Sequence, residues 1–146
     1  RKACTPMTRS PTAVGNGSGA DVSTGDNNTI LGNNTGRGIT TGSNNTIVGA
    51  FVSGLSSSLA NNIIIADGAG NRRINVDASG RVGIGTNTPS TAALLDVTST
   101  TGGVLFPRMT TAQRDAISTP PDGLVIYNTT TNKLQVRAAS AWADLH

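Results

Sequence analysis

Residues 27–32 read NNTILG, and residues 44–49 read NNTIVG, 17 positions further along the chain. The same step leads to residues 61–66, NNIIIA. All three segments end in a branched apolar residue followed by Gly or Ala, as do two weaker copies, SPTAVG at 10–15 and ASGRVG at 78–83. The centre of the chain is therefore a repeat with a period of 17 residues, which we expect to fray at the two outer copies.

The repeat is short and rich in β-branched residues and glycine, which predicts β-structure rather than a helical repeat. We predict a β-solenoid, in which the chain makes one circuit per repeat and each strand stacks about 4.8 Å from its copy in the next circuit. Ile30, Ile47 and Ile64 then lie in one row. Gly32 and Gly49 mark corners at which the backbone needs a positive φ or a close approach.

Each repeat has two adjacent apolar residues, and adjacent residues of a strand point to opposite faces. The second of them is Val14, Leu31, Val48, Ile65 or Val82 in the five copies. A row of this kind forms an exposed apolar stripe, which is typical of an interface, unless a local loop covers it. We therefore assign the following residues to the core of the solenoid and of a trimer: Ile30, Leu31, Ile47, Val48, Ile64, Ile65, Val82 and Ile84.

The paired asparagines at 27–28, 44–45 and 61–62 have two readings. A ladder of amides could present itself to a glycan. Asparagine also tolerates left-handed turn geometry and stacks amide on amide between coils, and we favour this structural role.

The composition argues against a conventional globular core. Aromatic residues make up 3% of the 146 residues, charged residues 13%, and 18 residues are glycine. Without the repeat, a polar, glycine-rich linker would fit equally well. The net charge of +3 comes from scattered basic residues, so we expect no nucleic-acid partner. Cys4 is the only cysteine, the start has no signal-peptide pattern and no apolar run suits a membrane span. We expect no metal, no cofactor and no membrane insertion.

Three segments carry a family resemblance. NNTILG and NNTIVG resemble the head repeats of trimeric autotransporter adhesins and of bacteriophage fibres, where such segments wind into a three-chain β-roll. Residues 77–96, DASGRVGIGTNTPSTAALLD, resemble a stretch of phage tail fibres that often precedes a self-cleaving chaperone domain. Residues 103–145, which include PRMTTAQRDAI and GLVIYNT, are similar to a C-terminal module of phage fibres and bacterial surface proteins. We expect that a chaperone domain was removed, was never present, or is not needed for trimerisation.

The C-terminal segment also carries signals of its own. Residues 110–113, TTAQ, form a capping box that predicts a short helix through about Ile117, and Asp115 is placed to pair with Arg108 or Arg114. Residues 124–127 and 134–136 read as two strands of a hairpin around the loop 128–133. Tyr127 and Trp142 are candidate receptor contacts as a sugar-stacking platform, although packing is the commoner role of such residues.

Residues with catalytic potential are sparse. His146 is the only histidine and there is no Glu, so neither a Ser-His-Asp arrangement nor a histidine metal site is expected. A glycan-cleaving carboxylate pair assembled across chains, for example from Asp67 and Asp77, stays open. Gly83-Ile84-Gly85 lacks the rest of a phosphate loop, and we read it as a solenoid corner.

Together these readings predict an all-β chain: a trimeric β-solenoid or β-roll of about 17-residue repeats, then a small C-terminal β module with one short helix. We expect an attachment segment or linker at 1–22, the repeats at 23–92 and the module at 93–146. The resemblance implies a homotrimeric, non-enzymatic phage tail fibre in the virion. It would bind an upstream fibre or virion protein through its N-terminus, and a host surface glycan or protein. A bacterial trimeric adhesin at the cell surface, a capsid-decorating fibre and a tail-spike depolymerase are the alternatives.

Overall fold

The computed structural model describes residues 11–145, which form two compact units divided between Thr100 and Thr101. Cys4, His146 and the first ten residues, including part of the expected attachment segment and of the copy at 10–15, lie outside the described range. The first unit contains β1 (Thr12–Val14), β2 (Thr29–Leu31), β3 (Thr46–Val48), β4 (Ile63–Ala66), β5 (Arg72–Val76), β6 (Val82–Ile84) and β7 (Leu95–Val97). The second contains β8 (Arg108–Met109), α1 (Thr111–Asp115), β9 (Val125–Asn128), β10 (Lys133–Ala138) and β11 (Ala141–Asp144).

The first four strands are stacked in parallel with the period of the sequence. Ile30 lies beside Ile47, and Ile47 beside Ile64. Backbone hydrogen bonds join one coil to the next; for example, the Thr29 amide donates to the Asn45 carbonyl at 2.8 Å. The all-β prediction, with a solenoid of about 17-residue repeats and one short helix, is therefore confirmed.

The core of the solenoid lies inside these coils. Ile30, Ile47 and Ile64 are fully buried, and they cluster with Ile39, Val52 and Leu55 from the connecting loops. Branched side chains suit this position because they pack well on the pleated surface of a strand. Each coil thus contributes one isoleucine to a buried row, which the connecting loops cover.

The corners follow from glycine and asparagine at fixed positions. Gly32 and Gly49 have φ of +143° and +127°, and a Cβ on Gly32 would overlap the carbonyl oxygen of Gly49. Asn27, Asn44 and Asn61 have φ of +56°, +62° and +59°, in the left-handed region that asparagine tolerates. The structural reading of both residue types is confirmed.

The fifth copy of the repeat does not continue the coil, in contrast to the aligned register expected for Val82. After β4 the chain turns back, so that β5 pairs antiparallel with β4 and β6 antiparallel with β5. Only β6 and β7 are parallel again. The sheet nevertheless keeps its strands in chain order, from β1 to β7.

The second unit is a four-stranded sheet in the order β11-β10-β9-β8. The predicted hairpin is present as antiparallel β9 and β10. The capping box is also present, since Thr110 accepts from the Gln113 amide and the Gln113 side chain accepts from the Thr110 amide. The helix ends at Asp115, two residues before the predicted Ile117, although the Ile117 amide still donates to the Arg114 carbonyl in a tighter turn.

Candidate self-association surface

The outward side of the seven-stranded sheet carries a continuous apolar row. Strand pairing places the following residues next to each other in sequence order: Val14, Leu31, Val48, Ile65, Ile74, Ile84 and Val97. Leu31, Val48 and Ile65 are 47%, 37% and 43% exposed. We call this set the outer row.

A second row flanks the first at a spacing of two residues along each strand. It consists of Thr12, Thr29, Thr46, Ile63, Val76, Val82 and Leu95. Threonine occupies it in the coils, and branched apolar residues occupy it from β4 onward. The outer row and this flanking row together form what we call the apolar face.

The apolar face is large for an exposed surface. Its residues belong to seven neighbouring strands, whose spacing of about 4.8 Å gives a stripe roughly 30 Å long. Contiguous exposed apolar stripes of this size mark sites of protein association. Completing the burial of one half-exposed Leu, Val or Ile side chain contributes roughly 1 kcal/mol, and the effect accumulates along the stripe.

The structure separates the predicted core residues into two groups. Ile30, Ile47 and Ile64 lie inside the coils, whereas Leu31, Val48, Ile65 and Ile84 lie outside in the outer row. Val82 lies in the flanking row, between Val76 and Leu95, because the reversal at β5 changes which residues are paired. Ile74, Val76, Leu95 and Val97 also belong to the face, and the 17-residue period gave no signal for them.

The second unit exposes apolar residues as well. Val104, Leu105 and Phe106 are 55%, 79% and 37% exposed. One face of its sheet carries Val125, Tyr127, Leu134 and Val136, all of them only partly buried. The other carries buried Ile126, Asn128 and Gln135. On that buried face Arg114 of α1 donates to the Gln135 side chain at 2.7 Å.

Tyr127 and Trp142 do not form a common platform. Tyr127 is paired with Leu134, whereas Trp142 is paired with Arg137, and residues 134 and 137 lie on opposite faces of β10. Each ring already has a cationic neighbour: Arg108 lies 5.7 Å from the centre of the Tyr127 ring, and Arg114 lies 5.4 Å from that of Trp142. Within one chain the two rings therefore lie on opposite faces of the sheet, and the receptor contact of each residue stays a prediction.

The two carboxylates considered for catalysis are structural within the chain. Asp67 and Asp77 each begin a turn, at opposite ends of β5, and hydrogen-bond the backbone amides two and four residues on. The five-residue strand between the two turns spans roughly 16 Å. That separation exceeds the ~5–9.5 Å of glycosidase carboxylate pairs.

Arginines complete both turns. Asp67 pairs with Arg73, and Asp77 with Arg81. Hydrogen bonds from the Asn71 side chain, the Ala69 amide and Arg73 lower the pKa of Asp67 well below its ordinary value. Partial desolvation opposes the shift at Asp77, but hydrogen bonds from the backbone and side chain of Arg81 and from the Ser79 amide still lower its pKa. Both carboxylates therefore stay ionised at neutral pH and act as acceptors that hold a turn.

Within residues 11–145, no cluster of three or more His, Cys, Asp or Glu side chains could hold a metal ion. In the same range no helix is long and apolar enough to span a membrane.

Residues 83–146, 64 of the 146, match a family model described as a phage tail-like trimerisation region. No characterised protein and no solved structure matches the chain significantly. The family match supports a phage tail-like trimeric fibre, with self-association as a homotrimer and a place in the virion tail.

Proposed function

We propose that this chain is a structural and adhesive segment of a homotrimeric phage tail fibre that attaches the virion to the host surface. The apolar face carries the proposal. It runs unbroken across all seven strands of the first unit, and a second and third copy of the same face would cover it. The trimerisation region matched at 83–146 supports the same assembly.

The mechanism is mechanical and adhesive. Stacked backbone hydrogen bonds and the buried isoleucine row make each chain stiff along the stacking direction. Packing of the three apolar faces against each other would make the trimer a stiff rod. The loops on the opposite side of each coil are then displayed three times, so that weak contacts with a surface ligand are strengthened by multivalency.

The proposed role is non-enzymatic. In its support, Asp67 and Asp77 are already held by arginines and backbone amides. The N-terminal segment would join an upstream fibre or virion protein, and a host surface glycan or protein would be the receptor.

The first experiment measures the molar mass of the purified full chain by light scattering, followed by binding of the fluorescently labelled protein to host cells. A mass of three chains and saturable cell binding are the expected results. A single-chain mass would overturn the assembly. A trimer without cell binding would overturn the adhesive role and leave the structural role standing.

A further inference from the structure

The first unit has a polar surface recess of about 350 Å³ that the apolar face does not include. Three separate segments line it. They are the loop of the last full coil (Ser53), the end of the turn before β5 with the first residue of that strand (Gly70, Asn71 and Arg72), and the residues after β6 (Gly85 and Asn87). This is the place where the coil ends and the antiparallel strands begin.

Arg72 is the only charged residue in the lining of the recess. Three other arginines of this unit pair with an aspartate of their own: Arg37 with Asp21, Arg73 with Asp67, and Arg81 with Asp77. Within residues 11–145, no side chain pairs with the guanidinium of Arg72. Partial burial lowers its pKa, as expected for a cation that has lost water without gaining a counter-ion. An anionic ligand would supply that counter-ion.

Phe51 is the second unusual residue, and it is a neighbour of the recess. The 17-residue step relates it to Gly17 and Asn34, and all three have positive φ: +66°, +49° and +59° in chain order. Glycine and asparagine suit this conformation, whereas a bulky side chain costs roughly 1–2 kcal/mol there. Phe51 is nonetheless 48% exposed, so about half of its surface has no cover within the chain. A strained, exposed aromatic residue points to a contact outside the chain.

Phe51 adjoins the recess at Gly70. A Cβ built on Gly70 would lie 3.4 Å from the Cβ of Phe51, and Gly70 lines the recess beside Arg72. Ser53 follows Phe51 by two residues in the same lining loop. An aromatic side chain, a cation without a partner and several amide and hydroxyl groups are therefore collected in one place.

We infer that the recess of Arg72, Asn71, Asn87 and Ser53, together with Phe51, binds a carboxylate-bearing sugar residue of a surface polysaccharide. The planar guanidinium of Arg72 would hold the carboxylate through two parallel hydrogen bonds. The ring of Phe51 would pack on the apolar C–H face of the sugar, and the polar side chains would meet its hydroxyl groups. The inference rests on the proposed attachment function, and the trimer would display three such sites.

The test titrates the full ¹⁵N-labelled chain with a hyaluronan hexasaccharide, which alternates glucuronate and N-acetylglucosamine, and with the fully N-acetylated chitin hexamer as the neutral matched sugar. We expect hyaluronan, but not the neutral sugar, to shift the NMR signals of the Arg72 side chain and of the backbone amides of Ser53, Gly70 and Asn87. Arg72→Gln should weaken binding about tenfold or more, because a charge-assisted pair is lost. Arg73→Gln is the matched control: it removes the same charge at the adjacent position, but the Arg73 guanidinium is already paired with Asp67, so this variant should keep wild-type affinity.

Phe51→Asn separates a binding role from a structural one, because asparagine occupies the equivalent position in the preceding coil. The variant should remain trimeric, keep or raise its melting temperature and bind hyaluronan more weakly. Loss of the trimer or a lower melting temperature would show that Phe51 is a packing residue and would overturn the site.

The inference would also be overturned if inorganic phosphate binds with the same affinity as hyaluronan and Phe51→Asn weakens neither. The recess would then be a simple anion site. If Arg72→Gln binds host cells as well as wild type does, the site is wrong while attachment stands. If wild type binds hyaluronan but not cells, attachment fails while the site holds.

Discussion

At Gly32 and Gly49 successive coils approach so closely that only a hydrogen atom fits on the Cα. A Cβ on Gly49 would overlap the carbonyl oxygen of Ala66, and this oxygen belongs to the backbone of the next strand. The φ of Gly49, +127°, adds conformational strain for any other residue. We expect Gly49→Ala to lower the free energy of unfolding by about 3 kcal/mol or more, measured by urea denaturation with circular dichroism.

Gly68→Ala is the matched control for this prediction. Nothing lies within 4 Å of a Cβ at Gly68, and its φ is not in the left-handed region. The change should be neutral, or should stabilise by up to ~1 kcal/mol by restricting the unfolded chain. If both variants unfold at the same urea concentration, close coil stacking does not explain the glycine.

The buried asparagine ladder leads to a second prediction at the residue scale. The Asn45 amide nitrogen donates to the Asn28 side chain at 2.9 Å and to the Leu59 carbonyl at 2.7 Å, while its oxygen accepts from the Asn62 backbone. In Asn45→Asp a carboxylate would face two acceptors without water. We expect a loss of about 2–5 kcal/mol in unfolding free energy at neutral pH.

The neighbouring position provides the comparison. Asn44 is exposed: its side-chain oxygen accepts a hydrogen bond from the Asn27 side chain at 3.1 Å, and its side-chain nitrogen donates one to the Asn61 side chain at 3.2 Å. Asn44→Asp should cost less than about 1 kcal/mol, since aspartate also tolerates the left-handed turn and stays hydrated. Equal losses for the two substitutions would mean that stacking, rather than burial, gives the ladder its strength.

The residue scale also shows where the sequence was informative. The left-handed turns at Asn27, Asn44 and Asn61 follow from residue type and period alone. Phe51 does not, because nothing in its own chemistry signals a positive φ. Its alignment at 17-residue steps with Gly17 and Asn34 did carry the signal, although only the structure makes its meaning clear.

At the scale of elements, β5 is held between two turns of the same construction. Asp67 and Asp77 each accept from the amides two and four residues on, and a glycine with positive φ, Gly70 or Gly80, follows at the third position. Aspartate and glycine flanking a β-branched run are signals for turns. The reversal is therefore encoded locally, and the 17-residue spacing from Ile65 to Val82 does not correspond to a further coil.

These turns predict an acid dependence of stability. Both aspartates have lowered pKa values in the folded chain relative to the ordinary 3.8, so their stabilisation is present above that value and is lost as the pH falls through the lower, folded values. The double variant Asp67→Asn, Asp77→Asn keeps the acceptor oxygens and removes the charges. Its unfolding free energy should fall less steeply than that of wild type between pH 4 and pH 2.

Urea midpoints at fixed protein concentration measure this dependence. Ser79→Ala, which leaves both carboxylates and the Ser79 backbone amide in place, should keep the wild-type slope. A double variant with the wild-type slope would place the acid sensitivity elsewhere in the molecule.

At the scale of the whole molecule, two adjacent apolar residues per coil have separate tasks. Ile47 is fully buried in its own coil, whereas Val48 is 37% exposed on the apolar face. The alternation of a strand and the period of the repeat predicted this division. They could not predict how far the face extends, because Ile74 and Val97 join it only through the antiparallel pairing of β5.

This division predicts two different failures. Ile47→Ala leaves a cavity inside the coil and should lower the free energy of unfolding by about 2–5 kcal/mol, so that secondary structure and assembly are lost together on mild heating.

Val48→Asp places a charge on the apolar face, where a single folded chain can hydrate it but a packed trimer cannot. We expect Val48→Asp to have a single-chain mass by light scattering and a wild-type circular dichroism spectrum at low temperature. Thr24→Asp adds the same charge at an exposed loop position and should stay trimeric. A trimeric Val48→Asp would mean that the apolar face is not where the chains meet, and the exposed residues at 104–106 would then be the next surface to test.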